Sequence, residues 1–174
     1  LLHKLLFRLV PICQNKVCVI SWGGKYFNCN PKAIATYIAS HNCNNLHVVA
    51  VVNNPIQYKA SYPNIKFVKT KSFGHLIAQL SCKFFIANIR MTDFQKKQGQ
   101  IYIQTWHGMG PKKSEKDSLN SLSEVYIKEA INDCNQTDIM LSGSKWQTDW
   151  IKNSTWYEGK ILEIGTPRDD CFFS

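Results

Sequence analysis

Chemistry in this chain is most legible where the apolar run Ile101-Tyr102-Ile103-Gln104 passes into Thr105-Trp106-His107-Gly108-Met109-Gly110-Pro111-Lys112-Lys113. An imidazole titrates near neutral pH, so His107 is placed to take a proton from an attacking hydroxyl. Gly108 and Gly110 would let a substrate approach the backbone closely, and Lys112 or Lys113 would meet a phosphate as a point charge. The same residues also fit a plainer description, a hydrogen-bonded structural histidine followed by solvated lysines. Composition and spacing leave both open.

Two further segments have the same form, a short apolar run ending in small and charged residues. Trp22-Gly23-Gly24-Lys25 follows 16–21, and its paired glycines suit either a close backbone approach to ligand or an ordinary tight turn. No G-x-G-x-x-G and no G-K-[ST] is present, so neither a dinucleotide fingerprint nor a Walker loop is expected. Gly165-Thr166-Pro167-Arg168-Asp169-Asp170 follows 160–164. Arg168 could grip a phosphate with two donors, or pair with Asp169 or Asp170 and fix the turn. Neighbouring carboxylates that would complete a Mg²⁺ site are missing from the surrounding sequence, and no metal site is expected.

The elements that would position these residues follow from periodicity. Apolar runs at 16–21, 46–52, 65–68, 83–87, 101–104, 138–141 and 160–164 read as strands. Between them lie amphipathic helical patterns. Asn30-Pro31 is expected to cap one, with Ile34, Tyr37 and Ile38 on a common face. Ser72 is expected to cap a second that buries Phe73, Leu76, Ile77 and Leu80. Asp117 is expected to open a longer one carrying Leu119, Leu122, Tyr126, Ala130 and Cys134, and Ser144 a last one carrying Trp146 and Trp150. Nearly continuous apolar strands alternating with such helices predict an α/β fold, a Rossmann-like doubly wound parallel sheet. Ligands of such sheets gather beyond the carboxyl ends of the strands, where all three segments fall. Residues 1–12 read as a short amphipathic helix, with Leu2, Leu5, Leu6 and Leu9 on one face and Lys4 and Arg8 on the other, closed by Pro11. It suits core packing or an interfacial anchor. Residues 13–174 read as the α/β domain.

Composition bounds the partners. With 21 Lys and Arg against 12 Asp and Glu, the formal charge of +9 points to an anionic partner, or simply to a soluble surface. The lysines are scattered and no nucleic-acid motif is present, so nucleic acid is not expected. No apolar stretch approaches the length of a membrane span, and no signal peptide is recognisable. The seven cysteines form no C-x-x-C pair, a usage suited to small buried side chains in a reducing compartment.

Taken together in order, these segments resemble the CDP-glycerol:polyglycerophosphate glycerophosphotransferases, polymerases of teichoic acids and related capsules. The family's Y-I/L-Q-T-W-H-G motif and following K-K pair correspond to Tyr102 through Gly108 and Lys112-Lys113. Its G-x-P-R-N-D motif corresponds to Gly165, Pro167, Arg168 and Asp170. Asn30-Pro31-Lys32-Ala33 resembles its N-P-K segment, and 156–163 its approach to the G-x-P-R motif. Two departures stand out: Met109-Gly110 where many members have Thr-Pro, and Asp169 in place of Asn.

The resemblance implies the N-terminal, acceptor-side half of a GT-B-like enzyme of two Rossmann-like domains, the nucleotide-binding domain lying outside this chain. It implies His107 as general base, with Gly23, Gly24, Gly108, Lys112, Lys113, Arg168 and Asp170 around substrate or phosphate. The donor would be CDP-glycerol, with no tightly bound cofactor. The acceptor would be a lipid-linked polymer at the cytoplasmic face of the membrane, whose anionic surface the basic chain would meet peripherally. A truncated, non-catalytic module that binds acceptor or membrane is the alternative.

Overall fold

The computed structural model describes residues 2–41, 43–108 and 113–173, with side chains from Leu6 onward. Among these, α1 is Leu2–Leu9, β1 Cys13–Ile20, α2 Cys29–His41, β2 His47–Val52, α3 Ile56–Lys59, β3 Lys66–Lys69 and α4 Phe73–Ser81. The second half comprises β4 Cys82–Ala87, β5 Ile101–Gln104, α5 Glu124–Gln136, β6 Ile139–Ser142, α6 Lys145–Ser154 and β7 Lys160–Glu163. Short 3₁₀ turns lie at Trp22–Gly24, Cys43–Asn45, Glu115–Ser121 and Pro167–Phe172.

All seven expected strands form, and every pairing is parallel, in the order β3-β2-β1-β4-β5-β6-β7. The doubly wound α/β reading therefore holds. The strands are apolar throughout because both faces are covered. In β1, Cys18 and Ile20 enter one core with Val49, Val51, Phe85 and Tyr102. Val17 and Val19 enter the other with Val48, Ala50, Ile86 and, from α2, Ala35 and Ile38. Winding runs outward from β1 in one direction and from β4 in the other, so the order reverses between them. In doubly wound sheets such a reversal is where ligands are bound, beyond the carboxyl ends of the strands, here those of β1 and β4.

Several boundaries differ from expectation, each for a local reason. Ser72, Ser123 and Ser144 cap α4, α5 and α6, their hydroxyls accepting from the backbone N–H of His75, Tyr126 and Gln147. The helix expected to open at Asp117 is thus two pieces, a 3₁₀ turn and then α5, because the chain is extended at Leu122 and Ser123. Asn30 does not cap α2. The helix already includes Cys29, and the buried Asn30 amide is used elsewhere. Tyr37 and Phe73 are exposed rather than buried: Tyr37 stacks on His41 at 4.2 Å on the surface of α2. Leu119 and Trp146 are exposed as well.

β4 and β5 are parallel neighbours joined by 88–100, which carries no helix. Met91 and Phe94 of this connection fill the covering role, Phe94 stacking on Phe85 at 4.1 Å. Lys97 holds α1 to it, donating to the Val10 carbonyl and lying 5.7 Å over the Phe7 ring. No disulfide joins any two of the seven cysteines. Cys18, Cys82 and Cys134 are buried, and Cys171 is exposed.

Candidate active site

β5 ends at Gln104, and Thr105 keeps the chain on the sheet by donating its N–H to the Ala87 carbonyl at 2.8 Å. Trp106 then adopts φ 53°, a left-handed conformation that is an outlier for a bulky side chain. This turn carries His107 over the ends of the strands. Two indoles pack against its imidazole. Trp22, following β1, has its ring centroid 4.7 Å away, and Trp106 lies at 5.3 Å, stacked and nearly parallel at 13°. Trp150 of α6 backs Trp106 at 5.8 Å.

Arg168 arrives from the turn after β7. Its Nη1 donates to the His107 carbonyl at 2.9 Å, and its Nε lies 3.5 Å from Asp169. The guanidinium crosses directly over Gly108: a Cβ built there would stand 3.2 Å from Nη2, and Gly108 has φ +109°. Only glycine lets the arginine approach this closely without strain.

Asn30 joins these pieces. Its Nδ2 donates to the carbonyls of Thr105 and Trp106 at 3.2 and 3.1 Å, and its Oδ1 accepts from the Arg168 N–H at 3.2 Å. One buried side chain at the start of α2 thereby fixes both the His107 loop and the Arg168 turn. The residues alone suggested a helix cap. The cross-chain role carries no local signature, since its partners lie 75, 76 and 138 positions away.

The half-buried His107 has its pKa lowered, first by desolvation and then by the positive charge of Arg168. Both effects favour the neutral imidazole, the form able to accept a proton.

The other predicted site residues are distributed around this centre. Gly23 and Gly24 make the tight turn that presents Trp22. Gly24, at φ +88°, packs where a Cβ would stand 2.1 Å from the Thr70 methyl, and its carbonyl accepts from the Asn53 N–H. Packing thus accounts for Gly24. Asp170 lies with Arg168 on the rim of a groove of about 710 Å³ between α2, the turn 61–65 and the turn Pro167–Phe172, which Lys32, Tyr37 and Tyr62 also line. Lys113 is exposed, while Lys112 lies outside the described residues. No group of three or more metal-ligating side chains occurs among the described residues. Nor is any helix there long and apolar enough to cross a membrane.

The sequence model of the CDP-glycerol:poly(glycerophosphate) glycerophosphotransferase family matches residues 2–174. The chain belongs to this family. Among its relatives, the teichoic acid poly(glycerol phosphate) polymerase of Bacillus spizizenii is 23% identical over 180 residues, covering 97% of this chain and 45% of that protein. The teichoic acid glycerol-phosphate transferase of Staphylococcus aureus is 27% identical over 173 residues, covering 94% of this chain and 44% of the relative. The solved wall teichoic acid polymerase TagF superposes with a TM-score of 0.84 at 24% identity, over 99% of this chain and 43% of its own. The chain spans less than half the length of these relatives.

Proposed function

We propose that this chain is the acceptor-side domain of a glycerophosphotransferase that moves glycerol phosphate, or a related polyol phosphate, from a CDP-linked donor to a growing polymer. The observation that carries this reading is an imidazole flanked by indoles, beside the guanidinium of Arg168 at the carboxyl end of a parallel sheet. Family membership supplies the reaction class, and TagF has been solved after soaking with CDPG.

In the reaction we propose, a terminal hydroxyl oxygen of the acceptor attacks the β-phosphorus of CDP-glycerol. The bond from that phosphorus to the bridging oxygen breaks, CMP leaves, and the hydroxyl proton passes to His107. Arg168 offsets charge on the phosphoryl oxygens, and the exposed Lys113 is a further candidate for that role. We place the acceptor along the groove edged by Lys32, Arg168 and Asp170. The donor-binding half would come from a second Rossmann-like domain, as in GT-B-like enzymes, and no tightly held cofactor is required. A net charge of +9 supports peripheral attachment to an anionic cytoplasmic leaflet bearing a lipid-linked acceptor.

The test uses the protein as its gene encodes it. Acceptor-dependent release of CMP from CDP-glycerol is the expected result. Its absence, with salt-sensitive binding to anionic vesicles retained, would replace this reading by that of a non-catalytic binding module.

The pH profile adds a sharper expectation. Because the base must be neutral, kcat/KM should fall on the acid side with an apparent pKa below 6.5. Removing the neighbouring cation favours the protonated imidazole, so Arg168→Gln should move that limb to higher pH, whereas Arg168→Lys should leave it nearly in place. A limb unmoved by Arg168→Gln would detach Arg168 from the titration of His107.

A further inference from the structure

Trp22 and Trp106 share more than contact with His107. Each is the second residue beyond the end of its strand, β1 for Trp22 and β5 for Trp106. Each has a left-handed backbone, φ 51° and 53°. The N–H of each is taken by the side-chain oxygen of a fully buried amide: Trp22 donates to Asn88 Oδ1 at 2.8 Å, and Trp106 to Gln104 Oε1 at 2.9 Å. The Gln104 amide has one possible orientation, because its Nε2 donates to the Ile89 carbonyl and to the Tyr102 hydroxyl, both at 3.0 Å. That bond to Ile89 ties the second amide to the residue beside the first. Left-handed tryptophans are costly and persist only where their surroundings over-determine them.

We propose that Asn88 and Gln104 are positioning residues for His107: their buried oxygens hold Trp22 and Trp106 in strained left-handed turns so that both indoles fix the imidazole in its reactive orientation. Neither amide touches the imidazole, and each acts through a tryptophan. The catalytic part of this inference rests on the glycerophosphotransferase reading; the geometric part does not.

Asn88 offers the cleaner test, because its Nδ2 has no hydrogen-bond partner among the described residues. Asn88→Asp keeps the oxygen that Trp22 needs and replaces the unpaired NH2 by a second carboxyl oxygen, which burial keeps toward its protonated form. Asn88→Leu keeps the volume and loses the oxygen. The histidines are labelled with ¹³C at Cε1 in the protein as its gene encodes it, and the His107 signal is identified by its loss in His107→Gln. Stacked indoles shield the imidazole protons, so the wild-type signal should lie upfield. In Asn88→Leu it should move toward the position of a free histidine, and kcat should fall about 10- to 100-fold with KM within about twofold. Asn88→Asp should keep the upfield signal.

A folded Asn88→Leu variant with an unmoved His107 signal would overturn the proposal. If Asn88→Leu does not fold, Trp22→Leu decides, since Trp22 is only partly buried: a His107 signal indifferent to loss of that indole would overturn it equally. A shifted signal in a protein that releases no CMP would keep the positioning role and remove the proposed reaction. The two failures are therefore distinguishable.

Discussion

His107→Gln is expected to lower turnover of the complete protein by about 10²- to 10⁴-fold while leaving its thermal midpoint nearly unchanged. Glutamine approximates the size of imidazole and can still pack between the neighbouring rings, but it cannot take up a proton at neutral pH. The main-chain carbonyl of His107, which holds Arg168 at 2.9 Å, is unaffected by the change. The loss should therefore fall on kcat rather than KM. Steady-state CMP release with both substrates varied separates the two. A variant that polymerises at the wild-type rate would exclude the imidazole as the base.

The largest effect on stability is expected at Arg90, which follows β4 and lies beneath the site. Its guanidinium bonds Glu115 of the turn Glu115–Ser121, lies 3.6 Å from Asp133 of α5, and donates to the Ala130 carbonyl at 3.2 Å. It also stacks 5.5 Å from the Trp106 ring. Side-chain exposure is 10% for Arg90, 3% for Glu115 and 1% for Asp133, so water cannot take over if the arginine is removed. Asp133 has further duties, accepting from the Met91 N–H and the Tyr102 hydroxyl, both at 2.9 Å. Glu115 accepts from the Tyr126 hydroxyl.

Arg90→Met should cost about 3–5 kcal/mol, since it strands buried carboxylates. In a chain of this length that corresponds to a fall in Tm on the order of 10 °C. Adding Glu115→Gln should recover part of the loss, because one of the stranded charges disappears with it. Denaturant titration of the two variants measures this. A single variant as stable as wild type would show that the cluster does not hold the loop after His107.

The sheet was legible in the sequence because strands covered on both faces must be apolar along their whole length, and this signal is local. Helix starts were legible at Ser72 and Ser144 for the same reason, the capping hydroxyl lying three residues from its donor. His107 and Arg168 were singled out by their place at strand ends together with the family motifs, and the fold brings the two into contact. Asn30, Trp22, Asn88 and Arg90 were not. Their function is set by partners dozens of residues away, and the Asn30-Pro31 pair looks like a helix cap to any local reading. Tyr37 and Phe73 were misjudged because periodicity assigns a helix face without saying how far the covering layer extends over it.

The three bonds of Asn30 have a consequence for how the protein is made. β1 to β4 can pair as soon as the first half of the chain is available, and their contacts form most of the two main cores. Asn30 cannot satisfy its amide until Thr105, Trp106 and finally Arg168 have arrived, the last of them 138 residues downstream. Contacts at such separation carry the largest loop-closure cost and form late. During synthesis, the sheet would therefore exist before the site does, with a buried asparagine waiting on the last turn of the described chain. His107 and Arg168 would be brought together only after β7, the last described strand, is laid down, so this contact forms later than the sheet that carries it.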